Sequence, residues 1–97
     1  MSARDAAGII CEFDPMHLGH AQVIGEAARQ CPGGVVCAMS GDFVQRGEPA
    51  VFPKQVRAEA AVRAGASLVI ELPLNVSLSS AEGFAAGGVR LLESLGV

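Results

Sequence analysis

Apolar residues along this chain fall into two alternating patterns. Three short, nearly unbroken apolar runs stand at Ala7-Gly8-Ile9-Ile10-Cys11-Glu12-Phe13, Val35-Val36-Cys37-Ala38-Met39 and Ser67-Leu68-Val69-Ile70-Glu71-Leu72. Runs of this length suit parallel strands buried on both faces, and the first reads as a central strand. Between them apolar residues recur at helical spacing: Ala21, Ile24, Ala27 and Ala28, then Val56, Ala60 and Ala64, then Phe84, Val89, Leu91, Leu92 and Leu95. The predicted order is therefore β-α-β-α-β-α.

Punctuation residues sharpen the boundaries. Pro15 fixes its own φ and moves Asp14 out of the α region, so the first helix should start near His17 or Leu18. Gly33-Gly34 reads as a turn, and a long polar loop runs from Ser40 to about Pro53. The second helix is predicted over Lys54 to Ala64, stopped by Gly65. Pro73 closes the third strand, and Ser79 or Ser80 can cap a last helix that runs to about Leu95. Gly83, Gly87 and Gly88 weaken that helix by roughly 1 kcal/mol each relative to alanine, and glycine used that often marks a close approach.

This alternation implies right-handed crossovers and a parallel sheet with helices on both sides. The expected fold is α/β, a three-layer Rossmann-like sheet, incomplete at about three strands and three helices. Residues 1–97 make one domain at most. A further strand is expected after Leu95-Gly96-Val97, so the chain reads as part of a longer protein. Another copy could complete the sheet by edge pairing or swapping, which makes a homo-oligomer an expectation.

Composition narrows the class. With 51% apolar and 18% charged residues the chain is not a disordered one. A net charge of −3 without a basic run argues against a general nucleic-acid binder, while a local patch stays open. Cys11, Cys31 and Cys37 lack Cys-x-x-Cys spacing and companion histidines, so they read as buried or half-buried thiols in a reducing cytoplasm, with no protein metal site. Arg4 and Asp5 precede an apolar stretch too short for a signal or a span, and Asp14 closes it. A cytoplasmic protein without membrane contact is expected.

The chemistry concentrates in Phe13-Asp14-Pro15-Met16-His17-Leu18-Gly19-His20, at the turn from the first strand into the first helix. The amino end of that helix offers unpaired N–H groups and a positive dipole end, which suit a phosphate. His17 and His20 project from the same turn, where each ring can donate to a phosphate oxygen, and Gly19 leaves room for a ligand. An isolated His-x-Gly-His is as readily a surface pair; the strand-to-helix setting favours the phosphate. Ser40-Gly41-Asp42-Phe43-Val44-Gln45-Arg46-Gly47-Glu48-Pro49-Ala50 follows the carboxyl end of the second strand, the same sheet edge, where ligands of open α/β sheets bind. Arg46 suits an anionic group and Asp42 a nearby donor or a metal, although a solvated loop has the same composition.

The Phe-Asp-Pro-Met-His-Leu-Gly-His segment resembles the His-x-Gly-His signature of the nucleotidyltransferase superfamily. Ser40 through Ala50, Lys54, Arg57-Ala58-Glu59, Glu71-Leu72-Pro73 and Phe84-Ala85-Ala86-Gly87 extend the likeness over almost the whole chain. Together they resemble the amino-terminal part of the tRNA(Met) cytidine acetate ligase family. The resemblance implies an ATP-dependent ligase that activates acetate to acetyl-adenylate and passes the acetyl group to N4 of the wobble cytidine of elongator tRNA(Met). By that likeness Ile10, Cys11, Glu12, Phe13, Asp14, Pro15, Met16, His17, Leu18, Gly19 and His20 form the ATP-binding stretch, with Gly87 a second nucleotide contact. His17 and His20 would be the catalytic pair, holding the triphosphate and stabilising charge as pyrophosphate leaves. Ser40, Asp42, Gln45, Arg46 and Lys54 become candidate contacts to substrate or phosphate, and Mg²⁺ is expected with ATP. The piece alone is expected to be inactive.

The chain also departs from the family pattern, commonly Asn-Pro-Phe-His-Asn-Gly-His, at Asp14, Met16 and Leu18. Asp-Pro is closer to adenylyltransferases, but those carry Gly-Gly-Thr or Gly-Gly-Ser where this chain has Ile10-Cys11-Glu12. A mononucleotide or phosphopantetheine adenylyltransferase is thus the second reading, and a noncatalytic nucleotide-binding or assembly module the third. Ser79 stands where the family often has glutamine. Among other residues, Arg57 and Arg63 read as solvated or paired with Glu59 or Glu26. Glu71 either caps amides near Pro73 or faces the cleft. Phe13, Phe43, Phe52 and Phe84 read as core.

Overall fold

The computed structural model describes residues 6–44 and 48–97. Arg4, Asp5, Gln45 and Arg46 lie outside the described residues. Three strands, β1 (Ala7–Cys11), β2 (Val35–Met39) and β3 (Leu68–Glu71), alternate with helices α1 (Leu18–Gln30), α2 (Lys54–Ala64), α3 (Leu74–Ser77) and α4 (Ala81–Ser94). The strands pair in parallel in the order β1-β2-β3, with Ile9 opposite Cys37 and Cys37 opposite Val69.

The central strand is β2, not β1. All five residues of β2 are buried, whereas β1 lies at an edge of this sheet with Gly8 exposed. Side chains alternate along β2, so Val35, Cys37 and Met39 join Ile24 and Ala61 in one core, and Val36 and Ala38 join Phe84 and Leu92 in another. Helices α1 and α2 cover the first face, and α4 covers the second. The expected three-layer α/β architecture is present.

Packing explains two of the glycines in α4. A Cβ on Gly87 would stand 2.7 Å from Cγ1 of Val76 in α3, and one on Gly88 would stand 2.8 Å from Cδ1 of Ile10 in β1. Both separations are shorter than carbon atoms tolerate, so α4 lies on its neighbours only because these side chains are missing. Close packing is therefore sufficient reason for glycine at 87, where a nucleotide contact was expected. Ser80, not Ser79, caps α4 through its hydroxyl, which accepts from the N–H of Gly83.

Three expectations need correction. Helix α2 buries Arg57 and Ala61, while Val56 is 52% exposed, so its inward face is not the one marked by Val56, Ala60 and Ala64. Arg57, expected to be solvated or paired with Glu59 or Glu26, is buried instead and donates to main-chain carbonyls, which an apolar count overlooks. Phe43 and Phe52 are 41% and 39% exposed and belong to neither core. The short helix α3 was unforeseen.

Candidate nucleotide site

Chain direction puts the carboxyl ends of all three strands on one edge, and the connections leaving β1 and β2 rise from it. After β1, Phe13 takes a left-handed backbone conformation, φ +52°, with its side chain 4% exposed. That conformation costs about 1–2 kcal/mol for a residue with a Cβ, and it turns the chain sharply into Asp14 and Pro15. The Asp14–Pro15 bond is cis. Burial of the Phe13 ring, 5.2 Å from the His20 ring, offsets the strain.

The two histidines form a reciprocal cap on α1. Nδ1 of His17 accepts from the N–H of His20 at 3.4 Å, and Nδ1 of His20 accepts from the N–H of His17 at 3.2 Å. Their rings stack with centroids 3.5 Å apart and planes inclined by 21°. A ring nitrogen that accepts carries no proton, so each neutral ring holds its proton on Nε2 and has one N–H left for a ligand. Partial burial, and secondarily the charge His17 would carry, lower the pKa of His20 from its ordinary value. Among the described residues, the N–H groups of Leu18 and Gly19 also find no acceptor. A Cβ on Gly19 would come within 3.0 Å of Cε1 of His17, so this glycine makes room for the stacked ring before it makes room for a ligand.

Asp14 ties the turn to the long loop. Its two carboxylate oxygens each accept at 2.8 Å, from the N–H groups of Val51 and Phe52. The two described arms of the loop pair with each other, with Phe43 bridged to Pro49 and the N–H of Ala50 bonded to the carbonyl of Asp42 at 2.9 Å. Lys54, at the start of α2, pairs with Glu71 at 3.0 Å and stands 3.9 Å from Asp42. The Glu71 carboxylate beside it raises the Lys54 pKa further, so this lysine stays cationic. Glu71 therefore neither caps amides near Pro73 nor lines the cleft beside the histidines; it is held by Lys54.

Between the histidine turn and the loop lies an open cleft of about 660 Å³, lined by His17, His20, Asp14, Val44, Glu48 and Phe84 among others. A hollow of about 680 Å³ on the outer side of α1 is marginally larger, but its only charged pair, Glu26 and Arg29, is already joined. His17 and His20 line the first, each with a ring N–H left to give, whereas Leu18 and Gly19 border the hollow, so it is the histidines that make the first the site suited to a phosphate.

The family model described as HIGH Nucleotidyl Transferase matches residues 4–97. This chain belongs to that family. Within the nucleotidyl transferases, it is 57% identical over 90 residues to the tRNA(Met) cytidine acetate ligase of Clostridium acetobutylicum, covering 92% of this chain and 22% of that protein. It is 52% identical over 95 residues to the ligase of the same name from Caldanaerobacter subterraneus subsp. tengcongensis, covering 96% and 23%. A crystal structure of Thermotoga maritima TmcAL bound with alpha-thio ATP superposes with a TM-score of 0.85 at 41% identity, over 95% of this chain and 22% of that one. The resemblance read from the sequence is thereby found, and the chain spans about 22% of the length of such relatives.

Within this nucleotidyl transferase the expected site residues divide. Ile10, Cys11, Glu12, Phe13, Asp14, Pro15, His17 and His20 line the cleft, while Met16, Leu18, Gly19 and Gly87 do not. Ile10 lies under Gly88 and Met16 packs on the first core, while Leu18 is 75% exposed. The buried thiol of Cys11 is directed at the carbonyl of Ala38, 3.6 Å away. Ser40 is fully buried, and its hydroxyl has no hydrogen-bond partner among the described residues. Lys54 and Glu71 line a separate cavity of about 180 Å³. The buried role of Arg57 was not read from the sequence; the signal for it is that Arg57 and Ala61, four apart, share the buried face of α2.

Proposed function

We propose that the intact protein containing this chain activates acetate with ATP and acetylates N4 of the wobble cytidine of elongator tRNA(Met). The observation that carries this reading is the stacked histidine pair at the amino end of α1, opening on the cleft of a chain about half identical to tRNA(Met) cytidine acetate ligases. The Nε2–H groups of His17 and His20 take the phosphate oxygens of ATP. An acetate oxygen attacks the α-phosphorus, the bond to the bridging oxygen breaks, and pyrophosphate leaves with the electron pair. Ring N–H donors aimed at that oxygen stabilise its growing charge, and no covalent enzyme intermediate is required. The cytidine amine then attacks the acetyl carbonyl, AMP departs, and the amine proton goes to solvent.

The donor set fits a triphosphate. Among the described residues no three His, Cys, Asp or Glu side chains gather to hold a metal, so Mg²⁺ would arrive on the phosphates of ATP. The protein would act in the cytoplasm, and no described helix is long and apolar enough to cross a membrane. The second reading, a mononucleotide or phosphopantetheine adenylyltransferase, rested on Asp14. That carboxylate is occupied by the N–H groups of Val51 and Phe52, so its presence does not argue for a different acceptor. Exchange of labelled pyrophosphate into ATP by the intact protein separates the two: the exchange should require acetate. Exchange that ignores acetate but responds to a mononucleotide or phosphopantetheine would overturn the ligase reading.

A further inference from the structure

Arg57 is the largest fully buried side chain, at 1% exposure, and none of its four hydrogen-bond acceptors is a carboxylate. Nε donates to the carbonyl of Phe52 at 3.0 Å. One terminal nitrogen donates to the carbonyls of Glu12 at 2.8 Å and Ser40 at 3.0 Å, and the other donates to the carbonyl of Gly41. Taking a guanidinium out of water is expensive unless its rigid fork of donors is met, and here four of five N–H groups are.

The acceptors belong to three separate stretches. Glu12 ends the run from β1 into the Phe13 turn, Ser40 and Gly41 leave β2, and Phe52 belongs to the segment that Asp14 holds from the other side. The first stretch brings Glu12, Phe13 and Asp14 to the cleft and the third brings Glu48 and Val51, while Ser40 and Gly41 line the smaller cavity beside Lys54 and lead on to Val44 at the cleft. We propose that Arg57 is the positioning residue of this nucleotide site: it touches no ligand, but its fork fixes the histidine turn, the β2 exit and the 48–53 segment relative to one another. The inference rests on reading the cleft as an ATP site. It goes beyond that reading because it gives the cleft's geometry to one buried cation on α2.

Lysine in place of Arg57 retains the charge but offers three donors from one point, and it cannot reach all four carbonyls. In the intact protein, Arg57→Lys should raise the KM for ATP in acetate-dependent pyrophosphate exchange and lower kcat, with kcat/KM falling about 100-fold, as for a misplacement of about 1 Å. A partly unfolded population would lower kcat alone and leave the KM for ATP unchanged. An unchanged KM in R57K, with or without lower kcat, would therefore overturn the proposal. Where R57K does not fold, the wild-type protein carries the test. The Arg57 Nε–H resonance should shift when a non-hydrolysable ATP analogue binds, and shifts at the His17 and His20 rings without one at Arg57 would overturn it. No shift at either ring would instead refute the ATP reading itself.

Discussion

His17 and His20 each serve two purposes through two nitrogens. Nδ1 ends the helix and Nε2 faces the cleft, so the cap fixes the tautomer that a phosphate needs. Protonation at Nδ1 would turn an acceptor into a donor aimed at another N–H group. The pKa of His20 is lowered on folding by burial first and the neighbouring His17 second, so the stability tied to its neutral ring is fully present above the unfolded value of 6.5 and is lost as pH falls through the lower folded value. A ring-proton NMR titration of the intact protein should place the His20 midpoint below 6.5, with faster amide exchange in the first turn of α1 at acid pH. A midpoint above 6.5 would mean that the ring is not held as described.

At the scale of elements, glycine separates packing from propensity. Gly25, inside α1, has nothing within 4 Å of where a Cβ would stand, whereas Gly88 has the Ile10 side chain at 2.8 Å. Gly25→Ala should stabilise the intact protein by about 0.5–1 kcal/mol through helix propensity. Gly88→Ala should destabilise it by about 1–3 kcal/mol, because the gain in propensity is outweighed by overpacking between α4 and β1. Denaturant unfolding measures both signs, and a stabilising G88A would refute the close approach. Here the sequence was legible where signals are local. Pro53 and Gly65 bracket α2 at Lys54–Ala64, and Gly33-Gly34 delivers β2 at Val35. Helix α3 has four residues, too few for a periodic pattern to register. The inward turn of Arg57 depends on carbonyls up to 45 residues away, and the reciprocal histidine cap on a helix start that few sequences write with imidazole.

For the whole molecule, direction matters more than composition. Parallel strands bring the Phe13 turn, the Ser40 loop and Glu71 to one edge of a chain whose net charge is only −3. On the proposed reading, phosphate would be held there by the ring N–H groups of His17 and His20, with a buried arginine bracing the surrounding segments, and not by a basic surface. The most direct test keeps the cap and removes the two imidazoles that define the site. Asparagine is among the best N-cap residues and glutamine is a natural partner at the third helical position, so the double variant His17→Asn, His20→Gln preserves the capping chemistry without either imidazole. Acetate-dependent pyrophosphate exchange by this variant of the intact protein should fall by at least about 100-fold while the thermal midpoint stays near that of the wild type. Exchange at the wild-type rate would show that the histidines only cap the helix, and would contradict the account.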